Sequence, residues 1–283
     1  MAFELNRDKG YSIEKLCKAL DVSRSGYYKW LDRKPSDEEA FNDFLATEIR
    51  EIHKDSNEVF GVERVQLALY RDGLNINVKR VRRIMRIEKI SSVIRRKKEG
   101  YVKSTPEHTA ENIINRDFEA PKKNQKWFID VTYLKAGGMK YYMCAIIDRH
   151  DMTIIARKIS RYNDNPLVKE TLEMAFKANP NARPIIHSDR GSQFTSGLYK
   201  EMSLKYGFTM SMSRVSKCLD NQPIESFFGT FKSEFYYRHK FDSYESLLDR
   251  IDDYMDFYMN RRFVKKFGGL TPAEFRVQSL FVA

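Results

Sequence analysis

Three acidic residues separated by long intervals constrain this chain more than any other feature. Asp130 follows the apolar run Trp127-Phe128-Ile129 and precedes Val131-Thr132-Tyr133, the pattern of a buried strand. Asp189 ends a second run, Pro184-Ile185-Ile186-His187-Ser188, and the turn Arg190-Gly191-Ser192 comes next. Glu225 lies in Asp220-Asn221-Gln222-Pro223-Ile224-Glu225-Ser226-Phe227-Phe228, the pattern of a helix start, where Pro223 is tolerated in the first turn. A fold that aims strand, strand and helix at one point gathers three carboxylates. Left alone they repel: two unit charges ~4 Å apart cost about 4 kcal/mol at an effective dielectric of ~20. Hard divalent cations, Mg²⁺ or Mn²⁺, reverse that sign, and two ions in one site suit an in-line phosphoryl displacement. Any of the 39 Asp and Glu residues is equally a candidate for the solvated surface. The apolar strands and the Gly turn beside these three favour a site.

Their neighbours refine the picture. Residues two apart on a strand share a face, so His187 is expected to point with Asp189, toward a metal-bound water or nucleic acid, or to serve as a structural hydrogen-bonder. Asn221, Glu225 and Lys232 fall on one helical face, which aims Lys232 at a phosphate beyond the metal site; a merely solvated lysine is the alternative.

Thirty-five residues lie between Asp189 and Glu225. With that spacing, the stretches HSDRGSQFTS, SMSRVSKCLDNQPIESFFGTFKSE and LTPAEF resemble the catalytic protein of the IS3-type bacterial insertion sequences, within the DDE transposase and retroviral-type integrase superfamily. The resemblance covers most of the chain. It implies a ribonuclease-H-like mixed sheet, with Asp130, Asp189 and Glu225 as catalytic residues holding two Mg²⁺ (or Mn²⁺) ions. It also implies a Lys or Arg seven residues after the Glu, which Lys232 supplies. The implied activity is cleavage and strand transfer at the terminal inverted repeats of an insertion sequence, by a copy-out, paste-in route. The implied partners are double-stranded DNA of those repeats and of the target, and an upstream-frame DNA-binding polypeptide to which the enzyme is often fused. Processing of paired ends suggests a homodimer or higher oligomer on DNA. The family usually has Thr before its first Asp, where this chain has Ile129; that side chain is expected to face away from Asp130 and alter packing rather than chemistry.

Composition agrees with a polyanion partner. Of 283 residues, 50 are Lys or Arg, giving a formal net charge of +11. The longest apolar run, Tyr141 to Ile147, falls short of the ~20 residues of a spanning helix, and residues 1–9 lack the apolar core of a signal peptide, so a cytoplasmic, membrane-free protein is expected. Cys17, Cys144 and Cys218 are odd in number and far apart, and the five histidines show no ligand spacing with them, which argues against a disulfide framework or zinc site.

Along the chain, residues 1–103 are expected to form a helical, helix-turn-helix DNA-binding region, 104–123 a linker, and 124–283 an α/β core with C-terminal helices. Ser12 is expected to cap a first helix, and Asp21-Val22-Ser23 to turn into a second. Phe41, Phe44, Leu45, Ile49 and Ile52 stripe an amphipathic helix over 36–54. Val62, Val65 and Leu69 mark another, Gly73 a break, and Asn77 the cap of a helix over 78–87 that turns Val78, Val81, Ile84 and Met85 inward. Lys79, Arg80, Arg82, Arg83 and Arg86 then face outward. Eleven basic residues lie between 79 and 103, including Arg95, Arg96, Lys97 and Lys98, against Glu88 and Glu99. Joined to a turn-linked helix, this run points to DNA phosphates rather than to a plain solvated face.

Strands are expected near 126–134, 139–148 and 152–160, with Gly137-Gly138 as a hairpin turn, then helix 166–178, strand 183–188, helix 196–206 and strand 208–213. Periodicity alone defines only an α/β protein. Long helices follow Glu225, through Tyr237 and from Tyr244 to Arg262, and Thr271-Pro272-Ala273-Glu274 opens a last one. Arg261, Arg262, Lys265 and Lys266, interleaved with aromatics, either meet DNA or edge a packed core. No Ser-His-Asp arrangement is suggested; His150-Asp151 and Asp148 are the tempting decoys, and Asp148 is expected to be structural or to support the site from behind its ligands. Two rival functions share much of this pattern: a catalytically silent DNA-end-binding repressor, and a ribonuclease-H-fold nuclease acting on RNA–DNA hybrids.

Overall fold

The computed structural model describes residues 11–94, 110–214 and 218–281. Helices α1 (Ile13–Ala19) and α2 (Arg24–Leu31) form a small turn-linked pair. Ser23 caps α2 by accepting from the Gly26 amide at 3.0 Å, whereas Ser12 makes no such bond at α1. The long α3 (Asp37–Asp55) opens on a complete capping box between Ser36 and Glu39. Leu45 and Ile49 of its stripe are buried, but Phe41 and Phe44 stay at the surface, stacked on one another at 6.0 Å. Helices α4 (Val62–Arg71) and α5 (Val78–Ile87) follow, with Asn77 accepting from the Lys79 amide to start α5. Val81, Ile84 and Met85 point inward as expected, while Val78 is only half-buried.

Gly137 and Gly138 adopt φ of 52° and 75°, the left-handed conformation that a tight hairpin turn requires, and fold β1 (Lys126–Ala136) onto β2 (Met139–Asp148). A Cβ at Gly137 would also lie 2.8 Å from the Asp242 carbonyl oxygen. β3 (Ile154–Ser160) continues the antiparallel run. Helices α6 (Asn165–Ala178) and α7 (Gly197–Tyr206) then carry the chain to β4 (Ile185–Ser188) and β5 (Thr209–Met212), which join parallel on the other side of β1. The sheet order is β3-β2-β1-β4-β5, the mixed sheet of a ribonuclease-H-like core. The strand expected from 152 starts at Ile154, because the chain first turns at Asp148–Thr153. Asp148 accepts there from the Asn124 and His150 amides, and Asp151 from the Thr153 amide.

Both sheet faces are covered, as a partly parallel sheet demands. Trp127, Ile129, Cys144 and Ile146 pack on one side against Leu172, Phe176 and Tyr199 of α6 and α7. Phe128, Leu134, Met143 and Ile147 line the other, beneath α8 (Gln222–Glu234) and α9 (Tyr244–Asp256). That second cluster extends without a break into Leu45, Ile49, Val65, Leu69 and Ile84, so the N-terminal helices α3–α5 share one interior with the core. A buried carboxylate fastens the junction. Glu234 accepts two hydrogen bonds from Arg262, both 2.8 Å, one from Arg64 of α4 at 3.3 Å and one from the Tyr254 hydroxyl at 3.2 Å. Arg262 reaches it because the turn Phe257–Arg261 widens to a π-type bond from the Arg262 amide to the Phe257 carbonyl. A final helix, α10 (Pro272–Gln278), opens on the Thr271–Glu274 capping box. From it Arg276 reaches Asp148 at 3.2 Å and Asp151 at 2.7 Å, which makes those two acids structural.

Candidate active site

Strand register places the first two acids. β1 and β4 pair in parallel from Lys126↔Ile185 to Phe128↔His187, and the pairing stops there. Asp130 stands two residues past that point on β1 and Asp189 two residues past it on β4. They therefore flank the opening at the carboxyl end of the parallel strands, where α/β sheets hold their ligands. Period-two alternation puts Asp130 on the face of Phe128, under α8, which carries Glu225 in its first turn. Ile129 is fully buried on the opposite face beside Trp127, away from Asp130.

The charges of the other two acids reach Asp130. Burial, then the charge of Asp189 and, more weakly, that of Glu225 push the Asp130 carboxyl up to about 8, against opposing pulls from the Val131 amide and Lys232. Asp189 is also raised, by burial, although it accepts from the Gly191 amide at 2.9 Å. An acid cluster that resists ionisation lacks positive charge, and oxygen donors of this kind fit a hard divalent ion. The set is not a closed cage. Among the described residues no three His, Cys, Asp or Glu side chains are gathered tightly enough to ligate one ion, so binding requires the carboxylates to draw together. Lys232, on the same helix, sets its ammonium 5.0 Å from the Tyr133 ring centre while its charge acts on Asp130.

His187 does not turn to solvent or nucleic acid. It is fully buried, with Nδ1 2.9 Å from the Ser211 hydroxyl and Nε2 3.2 Å from that of Ser213. Ser211 already accepts from the Ile113 and Ile114 amides, so its proton goes to Nδ1; Ser213 donates to the Ser188 carbonyl and accepts from Nε2–H. Burial lowers the ring's pKa to about 4, and this neutral imidazole ties β4 to β5 instead of meeting a metal-bound water. Asn221 is buried, and its Oδ1 has no hydrogen-bond partner. Asp220, which no sequence pattern singles out, is 1% exposed and clasped by two arginines. Its position beside Asn221 in the HSDRGSQFTS-to-FKSE stretch was visible, but nothing in the sequence shows that Arg116, more than 100 residues earlier, is its partner.

Among the expected DNA contacts, Lys79, Arg82, Arg83 and Arg86 lie exposed on α5. Arg80 does not. It donates to Asn42 at 3.0 Å and lies over the Phe41 ring at 5.0 Å, packed on α3. Arg95, Arg96, Lys97 and Lys98 lie outside the described residues. Arg262 is withdrawn into the Glu234 cluster, so of the late basic group only Arg261, Lys265 and Lys266 remain at the surface.

A ribonuclease-H-like sheet with one acid within β1, one just past β4 and one on α8 defines an integrase core, the fold of a polynucleotidyl transferase. Family comparison agrees: integrase core domain models match residues 120–218 and 225–280, and an HTH-like domain model matches residues 40–98. The chain is 35% identical over 270 residues to a putative transposase, InsK, of insertion element IS150 from Escherichia coli, covering 95% of each chain. It is 31% identical over 264 residues to a 31 kDa protein of insertion element IS600 from Shigella sonnei, covering 92% of this chain and 97% of that one. The magnesium-bound catalytic core of HTLV-2 integrase superposes with a TM-score of 0.42 at 18% identity, over 55% of this chain and 97% of that one, too loosely to bear on function. This chain belongs to the IS3-type DDE transposases, enzymes that cut and join DNA.

Proposed function

We propose that this transposase binds the terminal inverted repeats of its insertion sequence through the helical region, α5 foremost, and breaks and joins strands at Asp130, Asp189 and Glu225. The observation that carries the reading is the placement of Asp130 and Asp189 just past the paired ends of β1 and β4, where burial first, then the charges of Asp189 and Glu225, raise the Asp130 carboxyl to about 8. When bound, two Mg²⁺ or Mn²⁺ ions held by these carboxylates would neutralise charge on the attacking and leaving oxygens of a phosphodiester. The chain itself supplies position. Asp130 and Asp189 are fixed by neighbouring strands, Glu225 by α8, and Lys232 is placed to hold a phosphate of the bound strand. Water is the first nucleophile and frees a 3′-hydroxyl; that hydroxyl attacks a second phosphodiester, with no covalent bond to the protein. Two copies acting on paired ends, in the bacterial cytoplasm, with or without an upstream-frame DNA-binding partner, complete the proposal. Among the described residues no helix is long and apolar enough to cross a membrane.

The test is single-strand cleavage of a duplex carrying the terminal repeat, with Mg²⁺ present. Asp189→Asn should lower the rate roughly a hundredfold or more while leaving duplex affinity intact. Equal rates from both proteins would remove this mechanism.

A further inference from the structure

Helix α8 begins without a side-chain cap: Asn221 makes no such bond to its first turn, and Pro223 contributes no amide proton there. What fixes its entry lies one residue earlier. Both carboxylate oxygens of Asp220 are saturated. Oδ1 accepts from Arg116 Nε at 2.8 Å and Arg214 Nη2 at 3.0 Å; Oδ2 accepts from Arg214 Nε at 2.9 Å, the Arg214 amide at 3.0 Å and Asn112 Nδ2 at 2.8 Å. Burial alone would raise this carboxyl, but the bonds from Arg214 and Arg116 outweigh it and hold Asp220 ionised, far below the usual carboxylate range.

The partners come from two directions. Arg214 follows β5, so its three bonds tie together the two ends of the interval that leads into α8. Arg116 and Asn112 belong to the segment that enters the sheet from the DNA-binding helices. That segment is itself anchored on β5: the Ile113 and Ile114 amides donate to the Ser211 hydroxyl, and the Glu111 carbonyl accepts from the Met212 amide. Ile114 is buried. Asp220 is thus the knot between β5, the incoming connector and the helix that carries Glu225 five residues on. A helix transmits a displacement of its first residue almost rigidly over so short a span.

We propose that Asp220 is a positioning residue for Glu225, setting the reach of the third carboxylate from a clamp that also grips the connector to the DNA-binding helices. At 1% exposure it touches no substrate, and its role runs entirely through α8. The inference rests on the proposed metal-binding role of Glu225, so its test needs a readout that does not depend on cleavage.

The experiment compares the full chain with Asp220→Asn, an isosteric change that loses the charge. Binding of Mn²⁺, followed by the electron paramagnetic resonance of the free ion, should weaken by ~10-fold, as for loss of a group that orients a ligand. Strand cleavage should fall by ~10–100-fold in kcat with duplex affinity within about twofold, and raised metal concentration should restore part of it. Amide exchange should quicken in the first turn of α8. Should Asp220→Asn fail to fold, Arg116→Gln removes one partner and should give a smaller loss in the same direction. Unchanged Mn²⁺ affinity and kcat in a variant that only melts earlier would overturn the proposal and leave Asp220 a structural residue. No cleavage by the wild type, with Mn²⁺ affinity still responding to Asp220→Asn, would instead remove the transposition chemistry and spare the clamp.

Discussion

Asp130 shows how one residue carries a cost together with the function proposed for it. Its pKa is higher in the folded state, about 8, than the ordinary 3.8. The native protein therefore holds that proton more tightly than the unfolded chain does. Stability contributed by the protonated form is fully present below the ordinary value and is lost as pH rises toward 8. Asp130→Asn should accordingly raise the thermal midpoint of the metal-free protein, by about 1–3 kcal/mol of stability near pH 8 and by much less near pH 5, while abolishing cleavage. Calorimetry at the two pH values checks this, and a gain that is larger at pH 5 would contradict it. Metal binding must displace the same proton, so affinity for Mg²⁺ should climb through the neutral range. His187 teaches the opposite lesson. Strand alternation predicts that it shares a face with Asp189, but β4 ends at Ser188, and Ser211 of β5 and Ser213 just beyond it consume its nitrogens; sequence periodicity cannot see across strands.

At the scale of elements, α5 divides its cations by face. Lys79, Arg82, Arg83 and Arg86 are exposed and should each contribute about one unit to the salt dependence of duplex binding. Replacing Arg82 and Arg86 by Gln should weaken binding to all sequences alike and flatten the plot of log affinity against log salt. Arg80→Gln should change that slope little and instead loosen the α3–α5 contact, because its guanidinium bonds Asn42 and covers Phe41. Equal slopes for both variants would mean that the face assignment fails. The helix and its cap were legible because apolar spacing and Asn77 are local signals. The fate of Arg80 was not, since it depends on what α3 presents to it. In the same way the hairpin at Gly137-Gly138, the strands, and the acids on β1 and after β4 followed from short patterns. The start of β3 at Ile154 did not follow from such patterns, because Asp148 and Asp151 hold a turn before it, and the run from Tyr244 stays helical to Arg261 but widens to π-type bonding after Asp256.

For the whole molecule, the sequence suggested a helical region joined to a catalytic core by a linker, and the residues that fuse them were read as separate stripes. Leu69 of α4 and Phe227 of α8 are each apolar positions on an amphipathic helix; only the tertiary structure shows that they belong to one cluster. Glu234 is the clearest case, an acid near a helix end that is 4% exposed and bonded from three elements. Glu234→Gln leaves Arg64 and Arg262 without their counter-charge and should destabilise the protein by about 3–5 kcal/mol. The loss should appear as one cooperative transition, with near-ultraviolet circular dichroism and intrinsic fluorescence moving together. Two separated transitions would show that the halves unfold independently.

The interior common to α3–α5 and the sheet also bears on how such an enzyme can change over time. A protein whose recognition and chemical parts hang on a loose tether can trade one part for another's and keep working. Here the apolar underside of α3–α5 is a wall of the same interior that backs the sheet, so a foreign replacement would have to match that wall side chain for side chain. The outward charges of α5 can change without disturbing that wall, whereas the helices as a whole cannot be exchanged without rebuilding it.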